Sequence, residues 1–268
     1  MELSDRVAVV TGGASGIGRA LADQFAEEGA RGVAVADLHE EGAEVVARGI
    51  GERALAVGCD VTDDQQVGEL IERAEEAFGP IDVFCANAGI ALGAGLEASD
   101  ETWDAVLAVN TRAHILAARR LVPGWVERGE GYFVATASAA GLITQIADAT
   151  YAVSKHAAVA FAEWLSITYG DDGVRVSCLC PQGVDTPLLR AGLDDPSRGE
   201  GMGAQVVAAA GELLSPEQVA ADVVEAMREE RFLILPHPEV LEYFRRKGSD
   251  YDRWLAGMRR LQRQVRGG

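Results

Sequence analysis

The chain has 268 residues, 48% hydrophobic and 25% charged, with 42 acids against 24 bases and a formal net charge of −18. This composition excludes a disordered chain, a collagen-like fibre and a disulfide scaffold, and its acidity sets aside nucleic acid and anionic membrane as partners. No apolar run reaches the ~18 residues of a membrane span, and the start, Met1-Glu2-Leu3-Ser4-Asp5-Arg6, has none of the features of a signal peptide.

Taken in chain order, short apolar runs alternate with longer amphipathic stretches. Strands are expected over 7–10, 32–36, 54–58, 83–86, 131–137, 174–180 and 232–235. Helices are expected between them, over 17–28, 64–78, 112–128 and 151–169 among others. The strand runs (VAVV, GVAVA, DVFCA) are continuously apolar, the mark of a parallel sheet covered on both faces. The fold class is therefore α/β: a doubly wound, Rossmann-type parallel sheet of seven strands, helices on both faces, in one domain over 1–268.

Two regions depart from the alternation. Residues 188–215 carry five glycines and show no clear element, which suggests a mobile lid over a substrate site. Residues 236–268 form an extension whose apolar positions recur at three and four, so it should be helical. Its last 28 residues hold eight bases and three acids. A basic tail on an acidic body points to docking on that body or on another subunit.

Thr11-Gly12-Gly13-Ala14-Ser15-Gly16-Ile17-Gly18 follows the first strand and opens the first helix. Glycines allow a tight turn and close approach of a phosphate, and the helix start offers free N–H groups. Asp37, at the end of the second strand, can accept hydrogen bonds from adenosine ribose hydroxyls and would repel a 2′-phosphate. With no base at Ser15 or Leu38, NAD is expected over NADP; otherwise Asp37 caps the next helix. Asp60-Val61 and Asn87-Ala88-Gly89 stand at the carboxyl ends of the third and fourth strands, where ligands of open sheets bind, although both also suit plain turns.

Tyr151 and Lys155 are four apart on one helix, so their side chains are neighbours. A nearby ammonium favours the phenolate, and lowering of the Tyr151 pKa is expected. Such a phenol can exchange a proton with a carbonyl or alcohol oxygen, which the Ser138 hydroxyl can also hold. Lys155 is one of only two lysines, the other being Lys247.

Together these motifs resemble the short-chain dehydrogenases/reductases in their compact form, over residues ~4 to ~236: TGGASGIG at 11–18, Asp60-Val61, Asn87-Ala88-Gly89, Asn110, Ser138, Tyr151 with Lys155, and Pro181 through Thr186-Pro187. The resemblance implies Tyr151 as general acid/base, Lys155 lowering its pKa and binding the nicotinamide ribose, and Ser138 positioning the substrate oxygen. It gives Asn110 a relay water, Asp60 and Val61 the adenine, and Asn87 and Gly89 the adenosine ribose and central helix. Val184 and Thr186, beyond Pro181, would meet the carboxamide. Two positions depart from the family pattern: Ala86 where a second Asn is usual, and Gln182 between Pro181 and Gly183.

The roof of the pocket should come from 188–215 and its walls from 140–148, supplying Leu142, Ile143, Leu188, Leu189, Leu193, Met202 and Val206. A mostly apolar lining suits a small hydrophobic secondary alcohol or ketone. Gln145, Asp148 and Gln182 are candidate polar contacts, and Arg190 and Arg198 could meet a carboxylate or simply be solvated. No metal is expected. The helix carrying Lys155 is apolar nearly all round, and the resemblance implies a homodimer or homotetramer through it and 112–128. The expected activity is NAD-dependent hydride transfer on a CH–OH group. A non-catalytic dinucleotide sensor and another enzyme on the fold, an epimerase or dehydratase, are the alternatives. Cys59, Cys85, Cys178 and Cys180 form no CxxC, so buried free thiols in a reducing cytoplasm are expected.

Overall fold

The structure is a computed structural model that describes residues 1–93, 95–194, 200–209 and 211–267. Seven strands form one parallel sheet: β1 (Val7–Thr11), β2 (Gly32–Asp37), β3 (Ala54–Gly58), β4 (Val83–Ala86), β5 (Gly131–Thr136), β6 (Val174–Leu179) and β7 (Leu233–Ile234). Their order is β3-β2-β1-β4-β5-β6-β7. β1 is central: Val9 pairs with Ala34 on one side and Phe84 on the other. The strand order reverses beside β1, and that point opens a crevice at the carboxyl edge.

Every residue of β1, β4 and β5 is buried, because helices cover both faces. Alternate residues of β1 feed two cores. Val7 and Val9 face α3 (Asp64–Phe78), α5 (Ala113–Arg128) and α7 (Ala149–Tyr169). Ala8 and Val10 face α1 (Gly16–Glu27), α2 (Glu40–Ile50) and α10 (Pro216–Arg228). Trp125 anchors the first core, its Nε1–H donating to the Ile81 carbonyl at 2.8 Å; truncation to Ala would cost about 3–5 kcal/mol.

Local signals set the helix starts. Asp63 caps α3, accepting from the N–H groups of Gln65 and Gln66. Ser215 and Gln218 form a capping box on α10, with Pro216 in its first turn. A cap of this type contributes ~1 kcal/mol.

Several expectations change. The stretch over 188–215 contains two helices, α8 (Pro187–Asp194) and α9 (Glu200–Ala209). Gly203 sits in α9 facing Gln145, with a Cβ there 2.7 Å from Gln145 Nε2, so this glycine belongs to a helix, not a loop. Ahead of α5 lie α4 (Asp100–Leu107) and a π-turn over Ala108–Arg112. The helix expected from 151 begins at Ala149, capped by Asp148. The extension holds two helices broken at Asp250, α11 (Glu239–Ser249) and α12 (Tyr251–Gly267). α11 docks on the chain's own body through the buried Val240 and Lys247. No helix among the described residues is long and apolar enough to cross a membrane.

Candidate active site

A cavity of about 460 Å³ opens at the carboxyl edge of the sheet. At one end is the glycine-rich turn. Gly12 has φ +65°, and a Cβ there would lie 2.9 Å from Ala88 Cα. A Cβ on Gly18 would overlap the Gly12 carbonyl oxygen, so backbone packs directly on backbone. Ser15 precedes α1 in an extended conformation and makes no side-chain cap. The first N–H groups of α1 therefore remain available to an anion, and no acid stands in that turn. Gly12, Ser15, Gly16 and Ile17 line the cavity, whereas Gly18 lies behind them.

Asp37 closes this end. Its Oδ2 accepts the Ala14 N–H at 3.0 Å and its Oδ1 accepts the His39 N–H at 3.0 Å. Each oxygen keeps a second lone pair. His39, not Asp37, is the N-cap of α2, so the capping alternative does not hold. Leu38 lies exposed at the rim. Asp60 and Val61 line the same wall; Asp60 Oδ1 accepts from the N–H and hydroxyl of Thr62.

Asn87 stitches three strands together. Its N–H donates to Thr11 Oγ1, its Nδ2 to the Thr11 carbonyl, both at 3.0 Å, and its Oδ1 accepts the Thr136 hydroxyl at 3.2 Å. Thr11, the first residue of the glycine-rich motif, supports Asn87 from β1, and Thr136 is a supporting residue that no sequence motif marked. Ala88 and Gly89 continue the wall.

At the other end stand Ser138, Tyr151 and Lys155. Asp148 Oδ1 accepts the Tyr151 N–H at 2.8 Å and the Thr150 hydroxyl at 2.9 Å. Its Oδ2 accepts the Gly93 N–H at 3.1 Å. Asp148 lines the cavity, but its carboxylate is already engaged in starting α7. The Ser138 hydroxyl donates to the Pro181 carbonyl at 3.5 Å and accepts the Ala140 N–H at 3.1 Å.

The expected lowering of the Tyr151 pKa is corrected here. Burial pushes it up to about 12; the neighbouring Ser138 hydroxyl opposes this and the Asp148 charge adds to it. Lys155 is 3% exposed, and burial brings it down to about 8. Its Nζ donates to the Thr136 carbonyl at 2.9 Å and lies 5.6 Å from the centre of the Tyr151 ring. The ammonium is thus directed at a backbone oxygen, and desolvation governs the phenol.

Asn110 sits on the π-turn, fully buried behind the cavity. Its Nδ2 donates to the Ile90 carbonyl at 2.8 Å and to Ser154 Oγ at 3.0 Å, and its Oδ1 accepts the Ile90 N–H at 2.9 Å. A Cβ on Gly89 would lie 3.4 Å from both Asn110 Oδ1 and Lys155 Nζ, so Gly89 leaves a methyl-sized space between them.

Pro181, Gln182, Val184 and Thr186 form the wall after β6. Val184 pairs with Leu214, and Thr186 packs against Gly16. Gln182 Oε1 is enclosed with no hydrogen-bond partner among the described residues. Leu188, Leu189, Gly192, Ala204 and Val207 form the roof, and Gln145 adds an amide. The expected lining changes in part. Leu142 is buried in the core with Ile143 packed on it, while Ile90, Ala91 and Val109 face the cavity. Leu193 and Val206 are not among the lining residues. Arg190 forms a bidentate pair with Asp185, at 2.6 and 2.7 Å, away from the cavity. Arg198 and the Met202 side chain fall outside the described residues.

A parallel sheet with this strand order and an anion-ready turn at its reversal point defines a dinucleotide-binding fold. The family model for short chain dehydrogenases matches residues 6–196. A 1-deoxy-11-beta-hydroxypentalenate dehydrogenase of Streptomyces exfoliatus is 42% identical over 248 residues, covering 89% of this chain and 86% of that protein. A (+)-cis,trans-nepetalactol synthase of Nepeta racemosa is 35% identical, covering 90% of this chain and 91% of that one. The crystal structure of a short chain dehydrogenase/reductase from Burkholderia phymatum in complex with NAD superposes with a TM-score of 0.85 at 31% identity, covering 94% and 96% of the two chains. The chain belongs to the short-chain dehydrogenase/reductase family.

Proposed function

We propose that this protein is an NAD-dependent oxidoreductase acting on the CH–OH group of a largely apolar, cyclic secondary alcohol, or on the corresponding ketone. The carrying observation is that Ser138, Tyr151 and Lys155 share one cavity with the glycine-rich turn and Asp37. The names of relatives support the substrate class, since one is a dehydrogenase of 1-deoxy-11-beta-hydroxypentalenate. The NAD complex of the Burkholderia protein supports the cofactor.

The residues present fit a dinucleotide. The α1 N-terminus and the Gly12 turn would take the pyrophosphate, and the free lone pairs of Asp37 would take ribose hydroxyls while repelling a 2′-phosphate. Asp60 and Val61 would flank the adenine, and Val184 and Thr186 the carboxamide. When bound, the nicotinamide would accept or supply the hydride. Tyr151 holds or takes the proton at the substrate oxygen, Ser138 orients that oxygen, and Lys155 keeps a positive charge 5.6 Å from the centre of the phenol ring. Asn110 would support proton exchange behind Lys155. Gln145, Gln182 and Leu188 would meet the rest of the substrate.

Exposed apolar residues on α7, namely Val153, Trp164 and Ile167, support a homodimer or homotetramer through α5 and α7. Four buried free thiols suit a reducing cytoplasm.

An NADH-absorbance screen against cyclic secondary alcohols and their ketones tests the reading. Turnover with NAD supports it. NAD binding without turnover across the panel would favour a sensor or a non-redox reaction, as the name of the nepetalactol synthase relative allows.

A further inference from the structure

The second lysine stands outside the reaction chemistry. Lys247, on the inner face of α11, is 6% exposed. Its Nζ donates to the Leu142 carbonyl at 2.6 Å, lies 3.4 Å from His156 Nε2 and sits 5.6 Å from the centre of the Tyr251 ring. These partners are a carbonyl oxygen, an imidazole nitrogen and a ring; none is a carboxylate. An ammonium removed from water is tolerated only where its donors are satisfied by fixed groups.

The tautomer of His156 follows from its other contact. Its Nδ1 lies 2.8 Å from the Ala152 carbonyl. A carbonyl only accepts, so Nδ1 carries the proton and Nε2 turns its lone pair toward Lys247. The network therefore runs from α11 to the backbone beside Tyr151 and to the end of α6 (Ala140–Ile143).

Leu142 leads into the wall segment that carries Gln145. Two non-glycine residues there have left-handed backbones, Thr144 at φ 72° and Ala147 at φ 69°. Such conformations persist only where the surroundings hold them. Across the cavity, Gly203 of α9 packs on the Gln145 amide, so a shift of the segment would change the substrate end of the cavity.

We propose that Lys247 is a positioning residue for substrate: through Leu142 and His156 it fixes the 142–147 wall and so shapes the alcohol end of the cavity without touching substrate. This rests on the reading of that cavity as an alcohol site.

Hydrogen exchange on the full-length protein reads the brace independently of activity. In Lys247→Met, which keeps length and removes donor and charge, the amides of 142–147 should exchange about tenfold faster, with the sheet amides unchanged. Lys247→Arg should restore much of the protection. Tyr251→Leu, at a half-exposed site, should give a smaller shift in the same amides and covers the case in which Lys247→Met does not fold. Arg245→Ala, exposed on the same helix, should behave as wild type. With NAD and the panel alcohol turned over fastest, Lys247→Met should raise KM for the alcohol about tenfold and leave kcat and KM for NAD within about twofold. Wild-type exchange over 142–147, or equal losses for alcohol and NAD, would overturn the proposal. If wild type turns over no alcohol, the functional reading fails while the exchange result still decides the brace.

Discussion

The carboxylate of Asp37 accepts the backbone N–H of Ala14 at 3.0 Å, so the last residue of β2 holds the glycine-rich turn that follows β1. One side chain thereby fixes the phosphate end and presents free lone pairs where an adenosine ribose would lie. Asp37→Ala should weaken NAD binding and raise the ratio of NADP to NAD efficiency by about 10- to 100-fold, because the carboxylate that repels a 2′-phosphate is gone. Steady-state kinetics with both cofactors measures this, and an unchanged ratio would remove Asp37 from the ribose site.

Gly89 offers a test of the space between Asn110 and Lys155. A methyl there would meet both groups at 3.4 Å, ordinary contact distance, so Gly89→Ala should fold with a near-native Tm. It should still exclude a bridging water, and turnover should fall at least about tenfold while NAD binding changes little. Full activity in Gly89→Ala would show that no proton path needs that space.

His114 carries an acid-limb prediction. It is fully buried in α5, and burial lowers its pKa to about 3, with the Lys155 charge adding to the effect. Neither ring nitrogen has a partner among the described residues. The unfolded chain takes up this proton near pH 6.5 and the folded one does not, so stability is full above about pH 6.5 and falls as pH drops toward 3. Between pH 7 and pH 5 the loss from this group is about 2 kcal/mol. Urea melts of His114→Leu should show a flatter acid limb than wild type; parallel curves would contradict the assignment.

Tyr151 keeps its proton in the free protein, pushed up to about 12 by burial. The phenolate absorbance of wild type minus Tyr151→Phe should therefore show no step up to pH 10. A step near neutrality would mean that the ammonium of Lys155 outweighs desolvation.

The sheet was legible because its strands are continuous apolar runs, and a run such as VAVV has few places to go except the middle of a covered sheet. The glycine turn, Asp37 and the pair Tyr151 and Lys155 were legible as motifs, and the fold brings them to one cavity. What stayed hidden depends on contacts distant in sequence. Helix α9 is masked by its glycines, and the approach of Gly203 to Gln145, far away in the chain, shows only in the fold. Thr136 supports Lys155 with a backbone oxygen, which no side-chain pattern records. The direction of the Tyr151 shift is not legible from sequence, because spacing along a helix shows that an ammonium is near, but not how deeply the phenol is buried or where the ammonium points.

The most direct test compares wild type with Tyr151→Phe, which deletes one oxygen and keeps the ring. Both proteins should bind NAD with affinities within about threefold by fluorescence titration. Only wild type should then form NADH from a cyclic secondary alcohol, the variant falling by about 10²–10⁴-fold, the range of a lost general acid/base. Equal rates of NADH formation in the two proteins would contradict the assignment of the proton-transfer step to Tyr151.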